Sequence, residues 1–202
     1  MTKEDIIKKF NIDDPKAKLL EKYILELKNT NHIHNLVGKS TLSKVWDRHI
    51  ADSIQITPLI RSKNASILDM GTGGGLPGLI LSIMGYKNVT LVDSKKKKID
   101  FLKKTIKKLG LKTKTINSRL ERLKIAPFRY VTSRALAPLS QLLNYSLFFS
   151  NRNTTLVFLK GRNVNSEINE AKKNFIFIYK KYKSQSEGEG FVLKIKDLKK
   201  ND

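Results

Sequence analysis

The stretch Ser66-Ile67-Leu68-Asp69-Met70-Gly71-Thr72-Gly73-Gly74-Gly75-Leu76-Pro77-Gly78 decides how this chain is read. A short apolar run ends in an acid, a glycine-dense turn follows, and the apolar residues Leu79 to Met84 continue at helical spacing. Glycines let a backbone approach a ligand closely, and a turn that opens a helix offers its N–H groups to that ligand. Gly73-x-Gly75-x-x-Gly78 also matches the dinucleotide fingerprint, so an NAD-dependent reductase is one reading of the loop. The placement of acids argues otherwise. Asp69, directly before the loop, suits a cationic ligand better than a pyrophosphate. Asp93 closes the next apolar run, where a carboxylate can accept hydrogen bonds from both hydroxyls of a ribose.

Working outward, strands and helices alternate from residue 66 on. Strands are expected at 66–69, 88–92, 113–116, 130–133 and 154–159. Helices are expected at 79–84, 95–109 (stopped by Gly110), 138–149 and 164–173. This alternation is the signature of a parallel sheet covered by helices. The runs 175–182 and 191–195 break it, because the loop between them has no room for a crossover helix, so the two strands must pair antiparallel. A hairpin after the fifth strand is foreign to ordinary dinucleotide folds and typical of methyltransferases. The polar tail 197–202 is expected to fray.

Upstream, residues 1–65 read as a helical subdomain and 66–202 as a Rossmann-like domain. Asp13-Asp14-Pro15 starts a helix that carries Leu19, Leu20, Tyr23, Ile24 and Leu27 on one face. A second amphipathic helix is expected over 41–54, with Leu42, Val45, Trp46, His49 and Ile50 along one side. Arg48 and Asp52, four residues apart, would form an ion pair on it. His49, Asp52 and Ser53 are not a hydrolytic triad, since they share one helical turn and lack the strand–Ser–helix elbow.

Composition narrows the function. There is no cysteine, which removes disulfides and thiolate metal sites, and the three histidines lack partners for a zinc site, so no metal is expected. No apolar run approaches the roughly 18–20 residues of a membrane span, and the first ten residues lack a signal-peptide core. The expectation is a cytoplasmic protein without membrane association, and a monomer, for want of a spare apolar face. The 40 Lys and Arg outnumber the 18 Asp and Glu, a formal charge of +22. The excess is uneven: 12 basic and 8 acidic groups lie in residues 1–65, and 28 and 10 in residues 66–202. Such a field favours a polyanion. Only eight basic residues are arginine, which marks Arg48, Arg119 and Arg134 as positions that need a planar, bidentate fork. Among Lys95 to Lys98, at the edge of the sheet where ligands bind in such folds, Lys96 is a candidate phosphate contact. A basic RNA-binding protein on a methyltransferase fold that lacks catalysis is the remaining alternative.

The motifs then become specific. Asp69 to Gly78 followed by Leu91-Val92-Asp93-Ser94 resembles the RsmG/GidB family of bacterial methyltransferases, which act on guanine N7 in 16S ribosomal RNA. Asn35-Leu36, Arg48-His49-Ile50-Ala51-Asp52-Ser53, Ser118-Arg119-Leu120-Glu121, Ser133-Arg134-Ala135-Leu136-Ala137 and Leu159-Lys160-Gly161 recur in the family's order, over about residues 17–196. The resemblance implies a class I fold with a mostly parallel seven-stranded sheet ending in an antiparallel hairpin, S-adenosyl-L-methionine as cofactor, and 16S ribosomal RNA or a small-subunit particle as partner. It places Gly71, Gly73 and Leu76 in the cofactor loop and Asp93 on the ribose. Leu120 and Glu121 fall beside the adenine, and Arg134 contacts the cofactor from the fourth strand. Arg48, His49 and Lys160 fall on the RNA side. The family's Gly-Glu-Arg before the last strand is here Gly188-Glu189-Gly190, and an aromatic near Thr30 is missing. Methylation at N7 uses a free lone pair, so no general base is expected.

Overall fold

A computed structural model describes residues 1–201. Its centre is a seven-stranded sheet formed by β1 (Ser66–Met70), β2 (Asn88–Asp93), β3 (Lys114–Asn117), β4 (Tyr130–Arg134), β5 (Thr155–Lys160), β6 (Phe175–Lys183) and β7 (Phe191–Lys200). The spatial order is 3-2-1-4-5-7-6. The first five strands are parallel, while β7 runs antiparallel to both β5 and β6. The crossovers use α4 (Gly78–Ile83), α5 (Lys96–Lys108), α6 (Leu139–Leu147) and α7 (Val164–Ala171).

Residues on each strand alternate between two cores. On one face Ile67, Val89, Leu91, Tyr130, Val157 and Leu159 pack with α4, α5 and the N-terminal helices. On the other, Leu68, Met70, Val131, Leu156, Phe158 and Leu193 pack with α6 and α7. Both faces of the central strands are covered, which is why they read as continuous apolar runs.

The N-terminal part consists of α1 (Lys3–Lys9) and α2 (Asp14–His34), followed by a wide π-helical stretch, Trp46–Ala51, that runs into α3 (Asp52–Ile54). Asp13 caps α2 by accepting from the Lys16 N–H, and Asn35 ends it in the left-handed region at φ 45°. Its buried stripe of Leu20, Tyr23, Ile24 and Leu27 joins the core on the α4 and α5 side, with Tyr23 and Leu27 against Gly74 of the loop, each side chain contributing about 1.5–3 kcal/mol. The single helix expected over 41–54 is thus shorter. Residues 39–41 form a separate 3₁₀ turn, and regular winding begins only at Trp46. The break lets Thr41 turn toward the carbonyl of Gly38 and the ring of His49.

The tail does not fray as far as it is described. β7 continues through Lys200, paired with Phe175 and Ile176 at the start of β6, because β6 is long enough to offer backbone partners. A bulge opposite Phe177 absorbs the extra residue, with Asp197 at φ 53°, a conformation that Asp tolerates. Asp202 lies outside the described residues. The edge strand β6 also shows Ile176 and Ile178, 62% and 65% exposed, an apolar surface that the sequence reading had not foreseen. Among the described residues, no helix is long and apolar enough to cross a membrane.

Candidate active site

The carboxyl ends of the parallel strands open into a cleft of about 990 Å³ between the glycine loop, the segment 35–41, the Arg48–Asp52 turn and the loop 186–190. Open α/β sheets bind ligands at this edge, and the volume is that of a small-molecule site.

The loop is built for close approach. Gly71 and Gly73 have φ of +64° and +56°, and a Cβ on Gly71 would stand 2.5 Å from Leu136 Cδ1. Gly78 sits so tightly under the sheet that a Cβ there would meet Leu91 Cδ2 at 2.4 Å. Thr72 N donates to the Val92 carbonyl, and Tyr23 Oη donates to the Gly74 carbonyl at 2.9 Å, so α2 clamps the loop from outside.

Asp69 is placed differently from the sequence expectation. It is fully buried beneath the loop and does not line the cleft. Its Oδ2 accepts from Thr72 Oγ1 (2.6 Å) and Gly78 N (2.9 Å), and its Oδ1 from Thr132 Oγ1 (2.9 Å). Burial pushes its carboxyl up to about 6, with those three hydrogen bonds pulling the other way. Asp69 therefore holds the loop's shape from within. As the fourth residue of β1 it points into the layer under α4, not over the strand end.

Asp93 lies at the end of β2 behind the loop. One carboxylate oxygen accepts from Gly73 N (3.0 Å) and the other from Lys95 N (2.9 Å), so the side chain, 6% exposed, braces the loop from behind and does not itself line the cleft. Lys98 Nζ stands 3.8 Å from Asp93 Oδ2 and lines the cleft. Lys96, the lysine singled out from sequence, points to solvent and pairs with Asp100 at 2.8 Å. Helical spacing explains why Lys98 and not Lys96 faces the cleft, since Lys98 shares a face with the buried Phe101, Leu102 and Thr105. Leu120 is buried in the second core beneath the end of β2, and Glu121 is exposed; neither is part of the cleft wall.

Arg134 organises the opposite wall. From the end of β4 its Nη1 donates to the Arg48 carbonyl (3.0 Å) and to Asp52 Oδ2 (3.1 Å), and its Nη2 bonds His49 Nδ1 at 2.9 Å. A guanidinium can only donate, so Nδ1 must accept and the proton sits on Nε2, which donates to Thr41 Oγ1 at 2.8 Å. The hydroxyl passes its own proton to the Gly38 carbonyl. Burial, followed by the charges of Arg134 and Arg48, pulls the imidazole down to about 3. His49 is neutral at physiological pH with both nitrogens occupied, which rules it out as a general base in this arrangement.

The i, i+4 pair expected between Arg48 and Asp52 does not form. Asp52 is taken by Arg134, and Arg48 Nη1 reaches across to the Glu187 carbonyl. Arg48, His49 and Arg134 nevertheless all line the cleft, as do Gly71, Gly73 and Leu76. Lys160 lines it only in part. Its ammonium turns inward to the Ala137 carbonyl (3.0 Å) and Glu167 (2.6 Å), with the side chain 8% exposed, so it is not available to RNA as the sequence reading had it. Sequence reasoning also missed the loop beyond β6, which Gln55 and Asp52 anchor through Gln185 N, Ser184 and Ser186. Gly188, at φ +109°, packs where a Cβ would come within 2.8 Å of Arg48 Nη1.

The glycine cradle, the acid at the end of β2 and the 3-2-1-4-5-7-6 sheet with its reversed β7 together define a class I S-adenosylmethionine-dependent methyltransferase. Solved structures agree on the fold. A ribosomal protein L11 methylase from Lactobacillus delbrueckii superposes with a TM-score of 0.59 at 18% identity, covering 71% of this chain and 75% of that one. A TehB-like SAM-dependent methyltransferase from Corynebacterium glutamicum gives 0.57 at 16% identity, over 81% and 94%. The family model GidB, rRNA small subunit methyltransferase G, matches residues 16–191, and the chain belongs to this family. Proteins named ribosomal RNA small subunit methyltransferase G are similar along nearly the whole length. The protein of Orientia tsutsugamushi is 37% identical over 93% of both chains, and that of Rhodospirillum rubrum 35% over 89% of both. The reductase reading is set aside by this membership and by the antiparallel β7.

Proposed function

We propose that the protein methylates N7 of a guanosine in small-subunit ribosomal RNA, using S-adenosylmethionine held at the carboxyl edge of the sheet. One observation carries the reading: the glycine cradle in front of Asp93 opens into a cleft whose lining includes Lys39, Arg48, Lys98 and Arg162, basic residues suited to a phosphodiester chain. Gly71, Gly73 and Leu76 line the cleft where the cofactor would lie, and Asp93, buried directly behind Gly73, would meet its ribose at the margin of the loop. When bound, the cofactor supplies an electrophilic methyl group on a sulfonium.

The protein's task is then alignment and exclusion of water. Guanine N7 attacks with a lone pair and no proton has to leave it, so the site needs the reacting pair within about 3–3.5 Å and in line, not an acid–base couple. The locked neutral His49 is consistent with such a reaction. Arg134 fixes the Arg48–Asp52 turn relative to β4, and the rim cations hold the RNA strand by its phosphates, which gives affinity without choice of base. Choice comes from an unstacked base read at its edge. Membership in the family and the near full-length similarity to its ribosomal RNA methyltransferases support the substrate class. The test is chemical mapping of RNA treated with protein and cofactor: borohydride and aniline should cleave it at one guanosine. Methylation without a cleavable site would overturn N7.

A further inference from the structure

The β6–β7 hairpin leaves one face uncovered. On the sheet side that carries the N-terminal helices, β6 presents Ile176, Ile178, Lys180 and Tyr182, and β7 presents Lys194 and Lys196 beyond the buried Val192. Arg61, from the segment before β1, joins them. Partial burial, followed by the charges of Lys196, Arg61 and Lys180, pushes the Lys194 ammonium below its ordinary value. Among the described residues, Arg61, Lys180, Lys194 and Lys196 make no salt bridge with any carboxylate. Lys180 and Lys194 stand directly opposite each other across the antiparallel pair, where like charges destabilise a sheet.

Edge protection accounts for lysines on β6, since charge on an edge strand discourages pairing with another chain. It does not account for Lys194, which pairs with Val157 of β5 on one side and Lys180 of β6 on the other, with Lys196 following just past the last β5 pair. The concentration of unneutralised positive charge on an inner strand calls for an anionic partner. A second copy of this chain is a poor one, because a symmetric contact would set these lysines against themselves. The exposed Ile176, Ile178 and Tyr182 add apolar surface between the charges, a combination that suits nucleic acid, whose phosphates and bases alternate along the chain.

We propose that the open face of the β6–β7 hairpin docks the phosphodiester backbone of the RNA substrate outside the methyl-transfer cleft. The face runs about 20 Å from Ile176 to Tyr182, at roughly 3.3 Å per residue. Its Tyr182 end lies next to Lys183, which pairs through Phe191 to Lys160 at the margin of the cleft. One RNA strand can therefore lie along the hairpin and enter the site. Tyr182 offers its ring to an unpaired base near that entrance. This inference rests on the reading that RNA is the substrate.

The test is filter binding of in-vitro-transcribed small-subunit ribosomal RNA between 50 and 200 mM KCl, with K180Q/K194Q/K196Q beside a control of equal charge, K103Q/K104Q/K107Q on the exposed face of α5. Each lost phosphate contact lowers the slope of log K against log salt by about 0.7–0.9. The hairpin variant should lose about 2 in slope and the control almost nothing, with S-adenosylhomocysteine affinity unchanged in both. K194Q alone, the mildest change, should lose less than 1, so a folding defect of the triple variant leaves the test intact. Equal slopes for the hairpin variant and the control would overturn the proposal, as would a wild-type dimer in sedimentation that the hairpin variant dissolves. Methyl transfer by the wild type to the same RNA is measured alongside: its absence sinks the functional reading, whereas equal slopes with transfer intact sink only this surface.

Discussion

Replacing His49 by asparagine should flatten the acid side of the stability curve, and the size of the change follows from the burial of the imidazole. The ring ionises near 6.5 when free in an unfolded chain and is held down to about 3 in the folded one. Between those values the unfolded state binds a proton that the native state refuses, so stability falls as pH falls. From pH 7 to pH 5 this one group costs about 2 kcal/mol. Asp69 works in the opposite sense over part of the same window. Its folded value near 6 exceeds its ordinary 3.8, so the native state gains protons first and stability rises as pH falls from about 6 to 4. The two effects oppose each other in the wild type, which is why the variant is needed. Asparagine retains an acceptor for Arg134 and removes the titration. Urea unfolding of both proteins at pH 7 and pH 5 should show the wild type losing about 2 kcal/mol relative to His49→Asn on going to pH 5. Parallel stabilities at the two pH values would refute the locked, neutral imidazole.

Other perturbations separate the remaining roles. Arg134→Ala leaves the half-buried Asp52 without its ion partner and should destabilise the fold by about 3 kcal/mol, while Lys96→Ala stays within about 0.5 kcal/mol in thermal or urea unfolding. Arg134→Ala should also weaken S-adenosylhomocysteine binding in calorimetry more than Lys96→Ala; equal affinities would show that the wall it builds is dispensable. Gly71→Ala, with Leu136 Cδ1 standing 2.5 Å from the new Cβ and φ at +64°, should cut cofactor affinity at least tenfold in the same titration. Lys160→Ala leaves the Glu167 carboxylate with the Leu139 N–H but no ion partner, and should cost about 3 kcal/mol of stability while changing the salt dependence of RNA binding little.

The fold was legible because its signals are local and repeated. The apolar strand, glycine turn and amphipathic helix recur with ordinary spacing, and a loop too short for a crossover forces the antiparallel hairpin. The site was legible only as residue identities. Which way a side chain points at a strand end depends on the pleat, and that parity sends Asp69 under α4 and not into the cleft. Long cations are harder still, because their reach admits several partners. Lys160 finds Glu167 on α7, and Arg134 takes Asp52 from Arg48, contacts made between segments far apart in sequence. Lys98 was readable from helical phase, as its neighbours on the same face are buried, but the run from Lys95 to Lys98 hides the phase unless the whole helix is read. The π-helical turn at Trp46–Ala51 has no counterpart in sequence periodicity, since it is set by tertiary bonds from Arg134 and Thr41.

The most direct test of the whole account is incubation of the purified protein with methyl-labelled S-adenosylmethionine and small-subunit ribosomal RNA, both as free RNA and within small-subunit particles. The account predicts label in the RNA of at least one of the two, and its loss with Gly71→Ala. RNA unlabelled in both forms, from a protein that still binds S-adenosylhomocysteine, would contradict it.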